Sequence, residues 1–277
     1  MISAFVDGTW VKEHREKVVL ADVRWYLDGR SGHDAYRIGH LPGAVFVDLD
    51  AWLAGDPSSG AGRHPLPRPE TFARGMSTLG ISDESIVVAY DDQGGVIAAR
   101  LAWMLRATGH DAAVLDGGLA AYGPPLESGD PVSKPGSFTP RPWPAQQLAD
   151  IEDATDPSNV VIDARPPERY RGETEPVDAR AGHIPRARSL PCRENLNESG
   201  SLLPPDILKK RFEAAGISDG TNVVSYCGSG VTACHNLLVL EHCGLGEGRL
   251  YPGSWSEYCA IPENPVETGD PHPVVIP

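Results

Sequence analysis

One cysteine in this sequence has the surroundings of a nucleophile. Cys227 follows the apolar run Val223–Tyr226, which predicts a buried strand, and precedes the glycine-bearing stretch 228–230. The apolar residues from Val231 to Leu240 predict a helix after this turn. A strand, a tight turn and a helix N-terminus aim several backbone N–H groups at one point, where the helix dipole also favours an anion. The anion best placed there is the thiolate of Cys227, or a sulfur atom carried on it.

The bulk composition indicates a globular protein that can bury a sizeable core. The chain has 277 residues, of which 40% are hydrophobic and 22% are charged, and these fractions are typical of folded domains. Its length suggests two domains of ordinary size. The formal net charge of -14 is spread without a block of Lys and Arg, which argues against nucleic-acid and anionic-membrane partners. An anionic substrate therefore needs a local positive site.

Cysteine usage and the N-terminus indicate a cytoplasmic protein. The five cysteines, at positions 192, 227, 234, 243 and 259, are an odd number at irregular spacing, which fits reduced thiols better than a disulfide framework. The first residues carry an acid early and no basic segment, so a signal peptide is not expected. No apolar run approaches the roughly 20 residues of a membrane span.

The sequence contains an internal duplication. Each half has an Asp-x-Arg strand end, a Gly-His-x-Pro turn, a Gly-Ile-Ser-Asp segment before a strand, and a glycine-containing turn that leads to a tyrosine. In order, the paired segments are 18–24 with 160–165, 38–44 with 181–187, 80–90 with 216–226, and 116–122 with 252–258. Four matched segments in one order indicate duplication of a whole domain and not a short solenoid repeat.

Short strand patterns alternate with helical patterns in both halves, which predicts α/β units around a mainly parallel sheet. Helices are expected over 69–79, 96–108, 205–215 and 231–243. The stretch from Pro124 to Pro144 is rich in Pro, Gly and Ser, as linkers are. We therefore expect domains over 1–123 and 148–277, a linker over 124–147, and a coil from Pro262 onward.

The two halves differ where the chemistry is expected. Aligning them places Asp91 opposite Cys227, and the first-half loop 91–95 is one residue longer and has no thiol. Ligands of open α/β sheets bind beyond the carboxyl ends of the strands, which is where both loops lie. Thiol chemistry is therefore expected in the second half alone.

These segments together resemble the tandem-domain rhodanese family of sulfurtransferases. The residues that carry the resemblance are the paired Asp-x-Arg and Gly-His-x-Pro turns, the stretch Glu168–Gly172, and the loop Cys227–Ala233. The resemblance covers nearly the whole chain. It implies two rhodanese-like domains, each a mainly parallel sheet flanked by helices, of which the first is catalytically inert. It also implies that Cys227 takes a sulfane sulfur from a donor, holds it as a persulfide, and passes it to cyanide or another thiophile.

Sulfur transfer needs a thiolate, stabilisation of the charged persulfide, and a cation for the anionic end of the donor. Arg169 matches the family's substrate-binding arginine, and a guanidinium suits carboxylate or sulfonate oxygens. The expected cradle for the sulfur consists of the backbone N–H groups of Gly228, Ser229, Gly230, Val231 and Thr232. The hydroxyls of Ser229 and Thr232 either donate to the donor or the sulfur, or act as ordinary helix caps.

The sequence leaves the donor open between thiosulfate and 3-mercaptopyruvate. The uncharged pair Gly228-Ser229 is similar to the mercaptopyruvate branch of the family, since the thiosulfate branch tends to carry basic residues there. The mercaptopyruvate branch also has a second arginine after Glu-Pro, a position that is Val177 here. Arg180, three residues further on, is the candidate to replace it. The acceptor is equally open among cyanide, small thiols and thioredoxin-like proteins.

Several alternatives accompany this interpretation. A cysteine phosphatase needs an arginine at position 233, which is Ala233, so a phosphatase is the weaker rival. A non-catalytic sulfur carrier or redox-sensing module is the other. Arg169 has a competing role in an ion pair with Glu168 or Glu173.

The remaining histidines and cysteines suggest no further centre. His40 and His183 lie in matched turns and are interpreted as structural, with proton transfer kept open for His40. The group Cys234-His235 and His242-Cys243 lacks a CxxC pair and does not share one helix face. No metal and no cofactor are expected.

Overall fold

The computed structural model describes residues 1–131, 134–218 and 221–271. Short strands alternate with helices in both halves of the chain, as the sequence patterns predict. The strands are Phe5–Val6 (β1), Val18–Asp22 (β2), Val45–Phe46 (β3), Ile86–Tyr90 (β4), Ala112–Leu115 (β5), Val160–Asp163 (β6), Arg188–Ser189 (β7), Val223–Tyr226 (β8) and Arg249–Leu250 (β9). The helices are Gly8–Glu13 (α1), Gly32–Ile38 (α2), Pro69–Thr78 (α3), Ala99–Ala107 (α4), Gly118–Tyr122 (α5), Ile151–Thr155 (α6), Pro167–Tyr170 (α7), Pro205–Ala214 (α8), Ala233–His242 (α9) and Ser254–Tyr258 (α10).

The chain forms two compact units that do not follow the sequence order strictly. The first unit comprises Met1–Gly55, Leu66–Trp143 and Leu196–Leu202. The second comprises Asp56–Pro65, Pro144–Asn195 and the chain from Leu203 onward. Each unit therefore contains a short segment from the other half of the sequence, which domain bounds drawn at 1–123 and 148–277 do not anticipate.

Each unit is built on a parallel sheet, which confirms the predicted fold class. In the first unit the strand order is β1-β5-β4-β2-β3, and every pair is parallel. In the second unit the order is β7-β6-β8-β9, again with parallel pairs. A parallel bridge between Leu148 and Leu250 extends the β9 edge, at the place that β1 takes in the first sheet. Parallel strands are buried on both faces, which explains their β-branched and apolar composition.

The duplication extends to individual hydrogen bonds. Arg24 pairs with Asp22 at 2.7 Å and donates to the carbonyl of Gly39, while Arg165 pairs with Asp163 at 2.6 Å and donates to the carbonyl of Gly182. These are the strand-end salt bridges that the two Asp-x-Arg patterns predict. Each salt bridge connects the carboxyl end of a central strand to the following Gly-His turn. The two units therefore fix the carboxyl ends of these strands in the same way.

Two of the predicted helices begin later than the apolar pattern suggests. α4 begins at Ala99 instead of residue 96, and α9 begins at Ala233 instead of Val231. In both units the residues before the helix form the loop beyond the central strand, β4 or β8. Backbone N–H groups of that loop in the first unit bind a buried carboxylate. The loop residues are therefore arranged around the carboxylate, and the regular helix begins only after them.

Much of the predicted linker packs on the first unit. Glu127 forms an antiparallel bridge with His40, the N–H of Gly136 donates to the carbonyl of Ser77, and the indole of Trp143 donates to the carbonyl of Pro67 at 2.7 Å. Residues 132 and 133 of this stretch, residue 219 of the repeated Gly-Ile-Ser-Asp segment, and residues 272–277 of the tail lie outside the described residues.

Over the described ranges, none of the helices is long and apolar enough to span a membrane.

Candidate active site

Cys227 is the first residue after β8, and the start of α10 fixes its backbone. The N–H of Cys227 donates to Ser254 Oγ at 3.2 Å, and its carbonyl accepts from the N–H of Trp255 at 3.0 Å. The carbonyl of Gly228 accepts from the N–H of Ser256 at 3.0 Å. The residue is only 2% exposed, and its thiol is free. The nucleophile candidate is therefore held by backbone hydrogen bonds at the carboxyl end of a central strand, with little solvent around it.

Gly230 lets the loop turn tightly before α9. Its φ is 77°, and a Cβ atom at this position would lie 2.5 Å from the carbonyl oxygen of Pro252. Positive φ and lack of space both require glycine here. The turn leaves the N–H groups of Ser229, Val231 and Thr232 without a hydrogen-bond acceptor among the described residues, as an anion-binding loop does.

The first unit shows what this kind of loop binds. The carboxylate of Asp91, which is opposite Cys227 in the duplication, is fully buried. It accepts hydrogen bonds of 2.7 to 2.9 Å from the backbone N–H groups of Gln93, Gly95, Ile97 and Ala98. Burial raises the pKa of Asp91, and these N–H donors oppose that rise. In this unit the loop therefore cradles an anionic group supplied by its own chain.

Arg169 lies beside the cysteine loop and is ion-paired. A Cβ atom built on Gly228 would lie 3.4 Å from Arg169 Nη1. The guanidinium pairs with Glu175 at 2.6 Å and with Asp178 at 3.1 Å. The pairing with Glu168 or Glu173 considered from the sequence is wrong, because Glu173 pairs with Arg171. Burial acts to raise the pKa of Glu175, but the Arg169 guanidinium and nearby N–H groups hold that pKa below its usual value.

The segment Asp56–Pro65 brings two residues to the loop that sequence reasoning missed. A Cβ atom on Gly228 would lie 3.0 Å from Arg63 Nη2, and the Arg63 guanidinium is ion-paired with Asp178. His64 Nδ1 and Ser229 Oγ share a hydrogen bond of 2.7 Å. The only signal in the sequence was an Arg-His pair within a Gly- and Ser-rich stretch of the first half. Nothing in that stretch connects it with a cysteine more than 160 residues later.

Ser229 and Thr232, the two hydroxyl residues of the loop, have different partners. Ser229 is buried and contacts His64. Thr232 occupies the N-cap position of α9, but its side chain makes no capping hydrogen bond and lies close to the thiol of Cys192. Burial raises the pKa of Cys192 to about 12, so this neighbouring thiol stays neutral at physiological pH.

Arg180 is engaged elsewhere in the second unit. Its guanidinium donates to the carbonyls that follow α10, namely those of Cys259, Ile261, Pro262 and Asn264. These carbonyls belong to the C-cap residue of α10 and to the loop that follows it. Arg180 therefore has a structural role that occupies its donors, and we leave it out of the proposed site.

His40 and His183 occupy equivalent positions inside their own units. His40 stacks on Tyr36 with ring centroids 4.0 Å apart, and its Nδ1 lies 2.9 Å from the carbonyl of the same tyrosine. His183 stacks on Tyr170 at 3.7 Å and contacts that carbonyl at 2.8 Å. Both histidines are fully buried, and burial lowers the pKa of His183. This equivalence supports a structural role for both.

Two parallel α/β sheets related by duplication, with a cysteine in the strand-to-helix loop of one copy, define the rhodanese class of domains. A family model described as the rhodanese-like domain matches residues 7–123 and 144–261. The chain belongs to the rhodanese family, and it is a sulfurtransferase.

The chain is similar over most of its length to proteins named as sulfurtransferases. The chain is 42% identical over 267 residues to a probable 3-mercaptopyruvate sulfurtransferase of Pseudomonas aeruginosa, a match that covers 91% of this chain and 93% of the relative. It is 40% identical over 262 residues to a putative thiosulfate sulfurtransferase of Mycobacterium tuberculosis, with 92% of both chains covered. The crystal structure of the Escherichia coli 3-mercaptopyruvate sulfurtransferase SseA superposes with a TM-score of 0.80 at 34% identity, covering 92% of this chain and 100% of that one.

Proposed function

We propose that Cys227 is the nucleophile of this sulfurtransferase and carries the sulfur as a persulfide between donor and acceptor. The observation that carries the proposal is the pair of equivalent loops. In the first unit the loop wraps a carboxylate with four backbone N–H groups, and in the second the same position holds a buried free thiol. A thiolate or a terminal persulfide sulfur is an anion of the kind that such a cradle stabilises.

In the first half-reaction the thiolate of Cys227 attacks the sulfane sulfur of the donor. A bond forms between Cys227 Sγ and that sulfur, and the bond between the sulfur and its carrier breaks. With 3-mercaptopyruvate the bonding pair goes to the methylene carbon, which takes the thiol proton, and pyruvate leaves. With thiosulfate the pair goes to the sulfonate sulfur, and sulfite leaves. In both cases the negative charge moves to the outer persulfide sulfur, inside the loop.

In the second half-reaction a thiophile attacks the outer sulfur. Cyanide would leave as thiocyanate, and a thiol acceptor would leave as a persulfide, with the Cys227 thiolate regenerated. Cyanide, a small thiol and a thioredoxin-like protein are the proposed acceptors. The free state of all five cysteines in the structure supports the further proposal that the protein works in a reducing, cytoplasmic compartment.

The Ser229–His64 pair is proposed to assist a keto donor. The hydroxyl of Ser229 lies one residue from Gly228, and its hydrogen bond to His64 fixes its direction. Such a hydroxyl can donate to the donor carbonyl as negative charge develops on that oxygen, and the imidazole can replace the proton. Thiosulfate has no carbonyl, so this pair favours 3-mercaptopyruvate as donor, as does the uncharged Gly228-Ser229 sequence. Relatives named for each donor are both similar to this chain.

The proposal is tested by measuring thiocyanate formation from cyanide with each donor, in the wild-type protein and in Cys227→Ser. The serine variant is expected to lose turnover with both donors, because a neutral hydroxyl cannot replace the thiolate. Cys259→Ser, which changes another buried free thiol, is the matched control and should keep turnover. Full activity of Cys227→Ser with either donor would overturn the assignment. Persulfide formation in the wild type without turnover to any acceptor would instead indicate a sulfur carrier.

A further inference from the structure

One carboxylate beside the cysteine loop is shared by two guanidinium groups. Asp178 pairs with the Arg63 guanidinium and lies 3.1 Å from Arg169 Nη2. A Cβ atom on Gly228 would lie 3.0 Å from Arg63 Nη2 and 3.4 Å from Arg169 Nη1, and Gly228 directly follows the proposed nucleophile. An anion that contacts either guanidinium beside this loop therefore lies only about one guanidinium width from the Asp178 carboxylate.

The position of this carboxylate relative to its Arg63 partner is fixed by the backbone. The N–H of Arg63 donates to Ser256 Oγ at 3.0 Å, in α10. Gly62, with φ at 86°, packs so closely that a Cβ atom there would lie 2.5 Å from the carbonyl oxygen of Gly253. The side chain of Asp178 is only 5% exposed, so little water screens its charge from a neighbouring anion.

The neighbouring carboxylate, Glu175, is better compensated than Asp178. Its oxygens accept hydrogen bonds from the Arg169 guanidinium and from the backbone N–H groups of Val177 and Asp178, and its pKa lies below the usual value. For Asp178, burial raises the pKa, Arg63 and Arg169 oppose the rise, and the charge of Glu175 adds to it. The charge of Asp178 is therefore the less compensated of the two and acts more strongly on an incoming anion.

The two candidate donors would bring different charges to this place. A keto acid such as 3-mercaptopyruvate carries one negative charge, and thiosulfate carries two. Like charges repel more strongly at a partly buried site than in water. At a separation of about 6 Å and an effective dielectric constant of about 20 to 40, one extra unit of charge beside a carboxylate weakens binding about tenfold to a hundredfold.

We propose that Asp178 determines donor selectivity by charge, because its buried carboxylate disfavours doubly charged donors such as thiosulfate more than singly charged keto acids. The inference rests on the proposed function of Cys227 and on a donor whose anionic end contacts the Arg169 guanidinium, as the family resemblance implies. Asp178 acts on that anionic end across the guanidinium groups and takes no part in the sulfur transfer. It is therefore a specificity-determining residue.

Asp178→Asn removes the charge and keeps the size of the side chain. We expect the kcat/KM for thiosulfate to rise relative to that for 3-mercaptopyruvate by about tenfold to a hundredfold. Asp28→Asn, which neutralises an exposed carboxylate paired with Arg30, is the matched control and should keep the wild-type ratio. A structural role alone would lower both values together, so an unchanged ratio in folded Asp178→Asn would overturn the role of Asp178.

Binding of oxamate and oxalate measures the charge discrimination without any reaction. The two anions have nearly the same size and shape, but oxamate carries one negative charge and oxalate carries two. Calorimetric titration of the wild type should give tighter binding of oxamate, and Asp178→Asn should shift the ratio of the two dissociation constants toward oxalate by the same factor. A folding defect in the variant does not affect the wild-type comparison. Tighter binding of oxalate to the wild type would overturn the proposal.

The same titrations on Cys227→Ser separate this proposal from the proposed function. The serine variant should keep the preference for oxamate, because the preference depends on Asp178 and not on the thiol. If Cys227→Ser keeps the preference and also turns over donor, the persulfide mechanism fails while the role of Asp178 stands. If Cys227→Ser is inactive and the preference is absent, the role of Asp178 fails and the persulfide mechanism stands.

Discussion

At the scale of single residues, the site depends on where side chains are missing as much as on where they are present. Gly228 leaves room for two guanidinium groups, and Gly230 lets the chain turn beneath the carbonyl of Pro252. Both glycines lie within three residues of the nucleophile. In the proposed mechanism the thiol is the reacting group, and these two positions determine whether a donor and the backbone N–H groups of the loop can surround it.

Gly230→Ala is expected to displace the loop that carries Cys227, in addition to the conformational free energy that an alanine loses in the left-handed region. The φ of 77° costs an alanine about 1 kcal/mol, and the new Cβ would lie 2.5 Å from the Pro252 carbonyl, so the loop must shift. We expect a lower melting temperature and a loss of kcat with both donors.

Gly244→Ala is the matched control for Gly230→Ala. Its φ is 68°, and no atom lies within 4 Å of the position of its Cβ, so it carries the backbone cost alone. Calorimetry and thiocyanate assays on both variants separate the two contributions. Equal activity of the two alanine variants would contradict a tightly packed loop at Gly230.

At the scale of elements, the segment Asp56–Pro65 is the piece of chain that completes the site. It belongs to the second unit although it precedes α3 of the first. Its contacts with Ser229, Ser256 and Asp178 are made by three consecutive residues, from Gly62 to His64. The segment adds a cation and an imidazole to a loop that lacks both in its own sequence.

Gly62→Ala should displace this segment, because the added Cβ would meet Gly253 and Ser256. We expect donor KM to rise by about tenfold, as for loss of one charged hydrogen bond. Gly60→Ala is the control in the same segment: its φ of 81° is similar, but it has no atom within 4 Å. Steady-state kinetics with 3-mercaptopyruvate distinguish the two. The same KM in both variants would show that the close approach at Gly62 does not position Arg63.

At the scale of the whole molecule, the duplicated loop surrounds a different chemical group in each unit. In the second unit the position beyond the central strand holds a free thiol, and in the first it holds a carboxylate that fills the loop permanently. Because Asp91 satisfies the N–H groups of its own loop, the first unit gains stability from the same geometry that we propose for catalysis in the second.

Asp91→Ala should therefore lower stability without removing the chemistry. The variant leaves four backbone N–H groups without their carboxylate, and each buried unpaired group costs about 1–3 kcal/mol. We expect a clear fall in melting temperature, with kcat per folded molecule retained.

Asp156→Ala is the comparison for Asp91→Ala, because its exposed carboxylate accepts from the N–H of Ser158 at the protein surface. Its melting temperature should stay close to that of the wild type. A stable Asp91→Ala variant would mean that water replaces the carboxylate at little cost.

The sequence by itself predicted the elements, their duplication and the position of the proposed nucleophile. Apolar runs and proline-started helices gave nearly correct bounds for β8, α3 and α8, because these signals are local. The Asp-x-Arg salt bridges were predictable for the same reason. The comparison of Asp91 with Cys227 also needed only two aligned stretches of chain.

Only the tertiary structure decided which residues surround the nucleophile. Arg63 and His64 are more than 160 positions from the loop, and no periodicity or motif encodes that contact. Arg180 is close to Arg169 in sequence, yet its guanidinium donates to carbonyls at the C-cap of α10 and in the loop after it. Ion pairing depends on distance in space, and a single sequence records distance along the chain. The sequence therefore predicts the reacting cysteine of the proposed mechanism, while the fold determines which charged side chains lie beside it.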